Sequence, residues 1–162
     1  MASCVFPGSF DPVTKGHIDL IGRAASLFDH VTVTVMVNIR KKGTIPPGRR
    51  VELLRKACSG IPNVTVDRWD GLLAEYMRAK NEKIIIRGLR SGYELEQELC
   101  SAAANRMLNG NIETVFLASD PSLSGVSSSA VREIAAFGGG IEAFVPEGIT
   151  EEISSLLSNK KK

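Results

Sequence analysis

The chain has no hydrophobic run suited to a membrane span. Its longest strongly apolar stretch is VTVTVMV at Val31–Val37, against the roughly 18 residues such a span needs. The opening residues MASCVF lack the basic region and long apolar segment that direct secretion, so a cytoplasmic location is expected. Cysteine is scarce: Cys4, Cys58 and Cys100 are odd in number, widely spaced and without a Cys-x-x-Cys pair. That excludes a disulfide framework and a zinc ribbon, and leaves buried free thiols as the expectation. Net charge is also small. The formal +2 falls to about −1 once Lys160, Lys161 and Lys162, read as a frayed basic tail, are set aside. A broad basic face for nucleic acid is therefore missing, and neither nucleic acid nor membrane is an expected partner. The first loop contains neither G-x-G-x-x-G nor G-x-x-x-x-G-K-[ST], which excludes a dinucleotide fingerprint and a P-loop. No His/Cys or carboxylate cluster suggests a metal site owned by the protein.

What is present is ordinary for a globular chain, with 43% apolar and 23% charged residues in 162 positions, and one domain over residues 1–159 is expected. Strand-like and helix-like segments alternate. The pattern predicts strands at Ala2–Phe6, Val31–Asn38, Val64–Asp67, Lys83–Arg87 and Thr114–Ala118. Between and after them it predicts helices at His17–Phe28, Arg49–Ser59, Leu72–Lys80, Gly92–Leu108, Ser128–Phe137 and Thr150–Ser158. Runs such as KIIIRG suit strands covered on both faces, while Ile18, Ile21, Ala25 and Phe28 recur at helical spacing and form one apolar stripe. No repeat is visible, so the reading is an α/β fold with a doubly wound, five-stranded parallel sheet.

In such sheets ligands sit beyond the carboxyl ends of the strands. Five segments follow those ends: Ser9–His17, Arg40–Lys42, Asp70–Leu73, Arg87–Arg90 and Ser119–Ser129. The first, within PGSFDPVTKGH, is long for a strand-to-helix connection and offers a hydroxyl at Ser9, an imidazole at His17 and a helix start that favours phosphate. Read blandly, Asp11 and Thr14 cap the helix and His17 is a surface residue. Arg87 and Arg90 offer paired donors to phosphate, and Gly88 lets backbone approach a ligand. The serines of VSSSAVRE cap a helix whose N-terminus also suits phosphate.

PGSFDPVTKGH resembles the T-x-G-H form of a nucleotidyltransferase signature, whose wider superfamily carries H-x-G-H. With IRGLR at Ile86–Arg90, YELEQELCSAAANR at Tyr93–Arg106, VFLASDP at Val115–Pro121 and VSSS at Val126–Ser129, the chain is similar to the bacterial phosphopantetheine adenylyltransferases from Ala2 to Pro146. The resemblance implies a Rossmann-like nucleotidyltransferase fold. It also implies reversible transfer of the adenylyl group of ATP to the 4'-phosphate of phosphopantetheine, giving dephospho-coenzyme A and pyrophosphate by direct in-line displacement in coenzyme A biosynthesis.

By the same resemblance His17, Lys41, Ser9 and Arg90 are the catalytic set, with His17 steadying the α-phosphate and Ser9 and Lys41 holding the attacking phosphate. ATP would be bound by Ser9, Phe10, His17, Gly88, Leu89, Arg90 and Glu98, and by the run Leu123, Ser124, Gly125, Val126, Ser127, Ser128 and Ser129. The acceptor would meet Ser9, Lys41, Leu73 and Arg87, with Leu73 shaping the pantetheine pocket and Asn105 lying one helical face along from Glu98. Mg²⁺ is expected to arrive with ATP, and a homohexamer is implied, for which Leu95–Leu108 offers apolar surface.

Three stretches depart from the family pattern. LSG at Leu123–Gly125 stands where an aromatic pair separated by serine is usual, GTIPPGRR replaces a Thr-x-x-Glu-Arg helix start, and Gln97 replaces an aromatic residue. Weaker adenine stacking and a stiffer or displaced loop after Lys42 are the expected consequences. Two other readings stay open: a neighbouring nucleotidyltransferase acting on glycerol phosphate or nicotinate mononucleotide, since Thr14 stands at the first His of H-x-G-H, and a silent nucleotide-binding module.

Overall fold

The computed structural model describes residues 2–37 and 43–158. Lys41 and the tail Lys160–Lys162 lie outside the described residues. Five strands, β1 (Ser3–Gly8), β2 (His30–Met36), β3 (Val64–Trp69), β4 (Ile84–Leu89) and β5 (Glu113–Ala118), form one sheet in the order β3-β2-β1-β4-β5. Every pairing is parallel. The crossovers are helices α1 (Lys15–Leu27), α2 (Pro47–Ala57), α3 (Leu73–Lys80) and α4 (Gly92–Leu108), and α5 (Ser128–Ala136) and α6 (Thr150–Ser158) follow the last strand. The doubly wound expectation is thus met, with strand ends shifted by at most two residues.

Alternation along the strands sends side chains to two separate cores. Cys4, Phe6, Val31, Val33, Val35 and Ile86 pack on one face with residues of α1, α2, α5 and α6. Val5 and Ile85 pack on the other with Ala74, Tyr76 and Met77 of α3. On α1 the buried positions are Leu20, Ile21 and Ala24, while Ile18, Ala25 and Phe28 flank them half-buried. The buried stripe is rotated from the one predicted because α1 leans over β4: a Cβ at Gly88 would stand 2.2 Å from Leu20 Cδ1. A side chain at Gly88 would push Leu20 aside, so helix-on-sheet packing favours glycine there, a reason distinct from ligand approach. Pro46 stands at the N-cap of α2 and Pro47 takes its first position, where its fixed φ and missing N–H cost nothing.

Chain order reverses between β1 and β4, which places a topological switch point at their carboxyl ends. The two strands share a single bridge, Val5 to Ile85. Above it Arg87 Nη1 reaches across to the Pro7 carbonyl at 2.7 Å. Among the described residues no helix is long and apolar enough to cross a membrane.

Candidate active site

The connection from β1 to α1 is held by its own side chains. Thr14 is the N-cap of α1 and its hydroxyl accepts the His17 N–H at 3.4 Å. In return His17 Nδ1 accepts the Thr14 N–H at 3.0 Å, completing a reciprocal cap. A backbone N–H can only donate, so Nδ1 is the acceptor and the neutral ring carries its proton on Nε2. Burial of the ring, followed by the Arg90 and Arg87 charges, pushes the His17 imidazole down to about 4. A neutral imidazole with a free Nε2–H can donate to an oxyanion without having to be charged first.

The remainder of the loop is strained at one point. Phe10 has φ +46°, a left-handed conformation that costs an ordinary L-residue roughly 1–2 kcal/mol. Its buried ring meets the His17 ring edge-on, centroids 5.0 Å apart at 66°. Asp11 does not cap α1. Its carboxylate accepts the N–H groups of Thr44 and Ile45, each at 2.7 Å, and faces the buried Arg50 guanidinium.

The end of β4 brings in two arginines, each already engaged. Arg87 donates to both carboxylate oxygens of Glu98, at 2.7 and 2.6 Å. Arg90 donates through its backbone N–H to Glu94 at 3.0 Å and pairs its guanidinium with the same carboxylate. Although burial pushes the Glu94 carboxyl up, the hydrogen bonds from Arg90 hold it below its ordinary value.

After β5 the three serines divide the work. Ser127 caps α5 by accepting the Ala130 N–H, Ser128 donates to the Pro12 carbonyl at 2.7 Å, and Ser129 accepts from Arg132 Nη2 at 3.0 Å. Helix geometry leaves the first-turn N–H groups of α5 without intrahelical partners.

These loops enclose a cleft of about 630 Å³ over the switch point. Ser9, Phe10 and His17 line it from the first loop, Arg87, Gly88, Arg90 and Glu98 from β4 and α4, and Leu123 with Val126–Ser129 from the last. A smaller cavity of about 320 Å³ joins it at Pro7, Gly8, Ser9, Met36, Arg87 and Glu98, and is completed by Leu73 and Asn105 among others. The structure thus gathers most of the residues singled out in the sequence. Leu89, Ser124 and Gly125 line neither cavity: Leu89 spends its carbonyl on the Ser119 N–H, and Ser124 folds back on the Pro121 carbonyl. The segment after β3 contributes only Leu73, while Asp70 pairs with Arg68.

Among the cleft residues that the sequence reading missed are Glu94, Arg50, Arg132 and Thr14 as the partner of His17. Arg132 was the most accessible, because it follows Ser128 and Ser129 by four and three residues, on one helical face. Among the described residues, Arg50, Arg87 and Arg90 of the cleft each face a carboxylate, whereas Arg132 makes no ion pair and donates instead to the Asp11 carbonyl and Ser129.

A five-stranded parallel sheet with a T-x-G-H helix start and a cationic cleft at its switch point defines a nucleotidyltransferase, and residues 5–134 match the cytidylyltransferase-like family. Similarity also extends over nearly the whole chain. It is 46% identical over 155 residues to a phosphopantetheine adenylyltransferase of Clostridium perfringens, covering 96% of this chain and 94% of that protein. It is 45% identical over 162 residues to the phosphopantetheine adenylyltransferase of Dictyoglomus thermophilum, covering 100% and 99%. The chain belongs to the phosphopantetheine adenylyltransferase family. Its fold is shared with a Vibrio parahaemolyticus protein assigned as a nicotinate-nucleotide adenylyltransferase, at TM-score 0.65 and 18% identity, covering 98% of this chain and 93% of the other.

Proposed function

We propose that the large cleft binds ATP and the adjoining cavity binds the pantetheine arm, so that the 4'-phosphate of phosphopantetheine displaces pyrophosphate from the α-phosphorus in line. The observation that carries this reading is the Nε2–H of a neutral His17 in a cleft shared with Arg87, Arg90 and the start of α5. The acceptor phosphate is already a nucleophile, so the protein needs to align two anions and steady the charge between them. In this reading His17 donates to the α-phosphate oxygen, while Arg90, Arg132 and the first turn of α5 take the β- and γ-phosphates. Ser9 and Arg87 lie where both cavities meet and hold the acceptor phosphate, joined by Lys41. Arg87 must then exchange part of its Glu98 pairing for phosphate. Leu123, which lines the same cleft, would meet the nucleotide. Mg²⁺ enters as part of MgATP, neutralising triphosphate oxygens.

The same reading takes the chain as one cytoplasmic domain that self-associates through α4. This 17-residue helix buries none of its residues and exposes Tyr93, Leu99, Met107 and Leu108. Large apolar side chains left exposed on a helix that buries nothing suit an interface.

Incubation with MgATP and phosphopantetheine, read by phosphorus NMR and mass detection, is expected to yield dephospho-coenzyme A and pyrophosphate in equal amounts. Adenylyl transfer to nicotinate mononucleotide or glycerol phosphate in preference to phosphopantetheine would overturn the acceptor assignment. Nucleotide binding with no transfer to any acceptor would make the chain a silent module.

A further inference from the structure

The left-handed peptide at Phe10 needs an explanation, because such a conformation in a bulky residue persists only where its surroundings over-determine it. The ring is confined on two sides. A Cβ at Gly8 would come within 2.9 Å of it, and the His17 imidazole lies edge-on against it. The backbone at residue 10 and the orientation of the imidazole are therefore coupled through one aromatic ring.

Two arginines hold that backbone from either side. Arg50 Nη1 donates to the carbonyl of Ser9 at 3.2 Å, and Arg132 Nη1 donates to the carbonyl of Asp11. Arg50 is the deeply buried member, 5% exposed. Its Nε donates to the Ile45 carbonyl at 2.6 Å and lies 3.6 Å from Asp11 Oδ1. Gly43 closes the site, since a Cβ there would stand 1.6 Å from Arg50 Nη2. Only a planar fork can serve the Ser9 carbonyl, the Ile45 carbonyl and the Asp11 carboxylate together; an ammonium is a single point on a flexible stem.

We propose that Arg50 is a positioning residue for adenylyl transfer: it fixes the left-handed Phe10 peptide and, through the Phe10 ring, aims the His17 imidazole into the cleft. This rests on the reading that His17 acts at the α-phosphate, and it differs from a purely structural ion pair in what it predicts for the imidazole itself.

Arg50→Lys keeps the charge and loses the fork, and Gly43→Ala keeps Arg50 but displaces its guanidinium. Both are compared with Ile153→Val, a core change in α6 remote from the cleft. Nitrogen NMR of the ring follows His17 directly, since the chain has 2 histidines and His17→Gln assigns the signal. The expected result is a fall in kcat of at least about tenfold in Arg50→Lys and Gly43→Ala, together with altered His17 ring signals. Ile153→Val should lose stability with kcat and ring signals unchanged. Wild-type kcat and wild-type ring signals in a folded Arg50→Lys or Gly43→Ala protein overturn the proposal. So does a loss of kcat with unaltered His17 signals, or failure of both variants to fold while Ile153→Val folds. If the ring signals respond but the wild-type protein makes no dephospho-coenzyme A, the positioning role stands and the functional reading falls.

Discussion

His17 Nδ1 lies 3.0 Å from the Thr14 backbone nitrogen and accepts a hydrogen bond from its N–H. The imidazole is thereby left with its proton on Nε2, and burial with the charges of Arg90 and Arg87 keeps it neutral down to about pH 4. Transition-state charge on a phosphate oxygen would meet a preorganised neutral donor.

The sign of the linkage follows. The folded-state pKa of His17 lies below the ordinary 6.5, at about 4, so between those values the unfolded chain binds the extra proton. Stability is unaffected by this group above the ordinary value and declines as pH falls from 6.5 toward 4. Denaturant unfolding at a series of pH values should show that decline, reduced in His17→Gln, and NMR titration of the ligand-free protein should place the His17 midpoint near 4. A midpoint at the ordinary value would contradict the half-buried, arginine-facing ring.

Removing the donor should act on the transition state more than on the ground state. His17→Ala is expected to lower kcat by about 10²–10³ while changing nucleotide affinity only severalfold. Steady-state kinetics beside equilibrium ATP binding separates the two; equal losses in both would reassign His17 to simple binding.

The Arg87–Glu98 pair is doubly hydrogen-bonded and only partly exposed, at 34% and 20% of the side chains. Glu98→Gln and Arg87→Met should each destabilise the fold, and the double variant should lose less than their sum by about 1 kcal/mol. Urea midpoints for the cycle measure this coupling. Additive losses would mean that the pair contributes no net stability and is held by the strands around it.

Cys4 and Cys58 are buried and their thiols are pushed up, to about 12 and about 11, chiefly by burial. Cys100 is exposed on α4. A thiol-reactive reagent should label Cys100 alone in the folded monomer and all three after unfolding. Self-association through α4 should slow the Cys100 reaction as protein concentration rises. Concentration-independent labelling at full rate would place any interface elsewhere.

The alternation of strands and helices was legible because it depends on local pattern: apolar runs for buried strands, three- and four-residue spacing for helices. The expectation of buried thiols is met at Cys4 and Cys58 but not at Cys100, which α4 exposes, because burial depends on which helix face the rest of the fold covers. The Thr14–His17 cap is an i, i+3 relationship within reach of local pattern, but it was missed because the motif drew attention to its chemistry and away from its geometry. Arg50 was hidden for the opposite reason. Its partners Asp11 and Ser9 lie 39 and 41 residues away in the chain, and nothing in GTIPPGRR marks one arginine as buried.

The amino-acid order by itself determined which elements form, which loops carry phosphate-seeking groups and which family the chain resembles, since propensity, periodicity and motif are properties of neighbours. Tertiary structure decided the rest: the order β3-β2-β1-β4-β5 that opens the cleft, the carboxylates that already occupy Arg87 and Arg90, and the core arginine behind Phe10. Those are contacts between residues far apart in sequence, and they exist only once burial of two cores on one twisted sheet has brought the segments together.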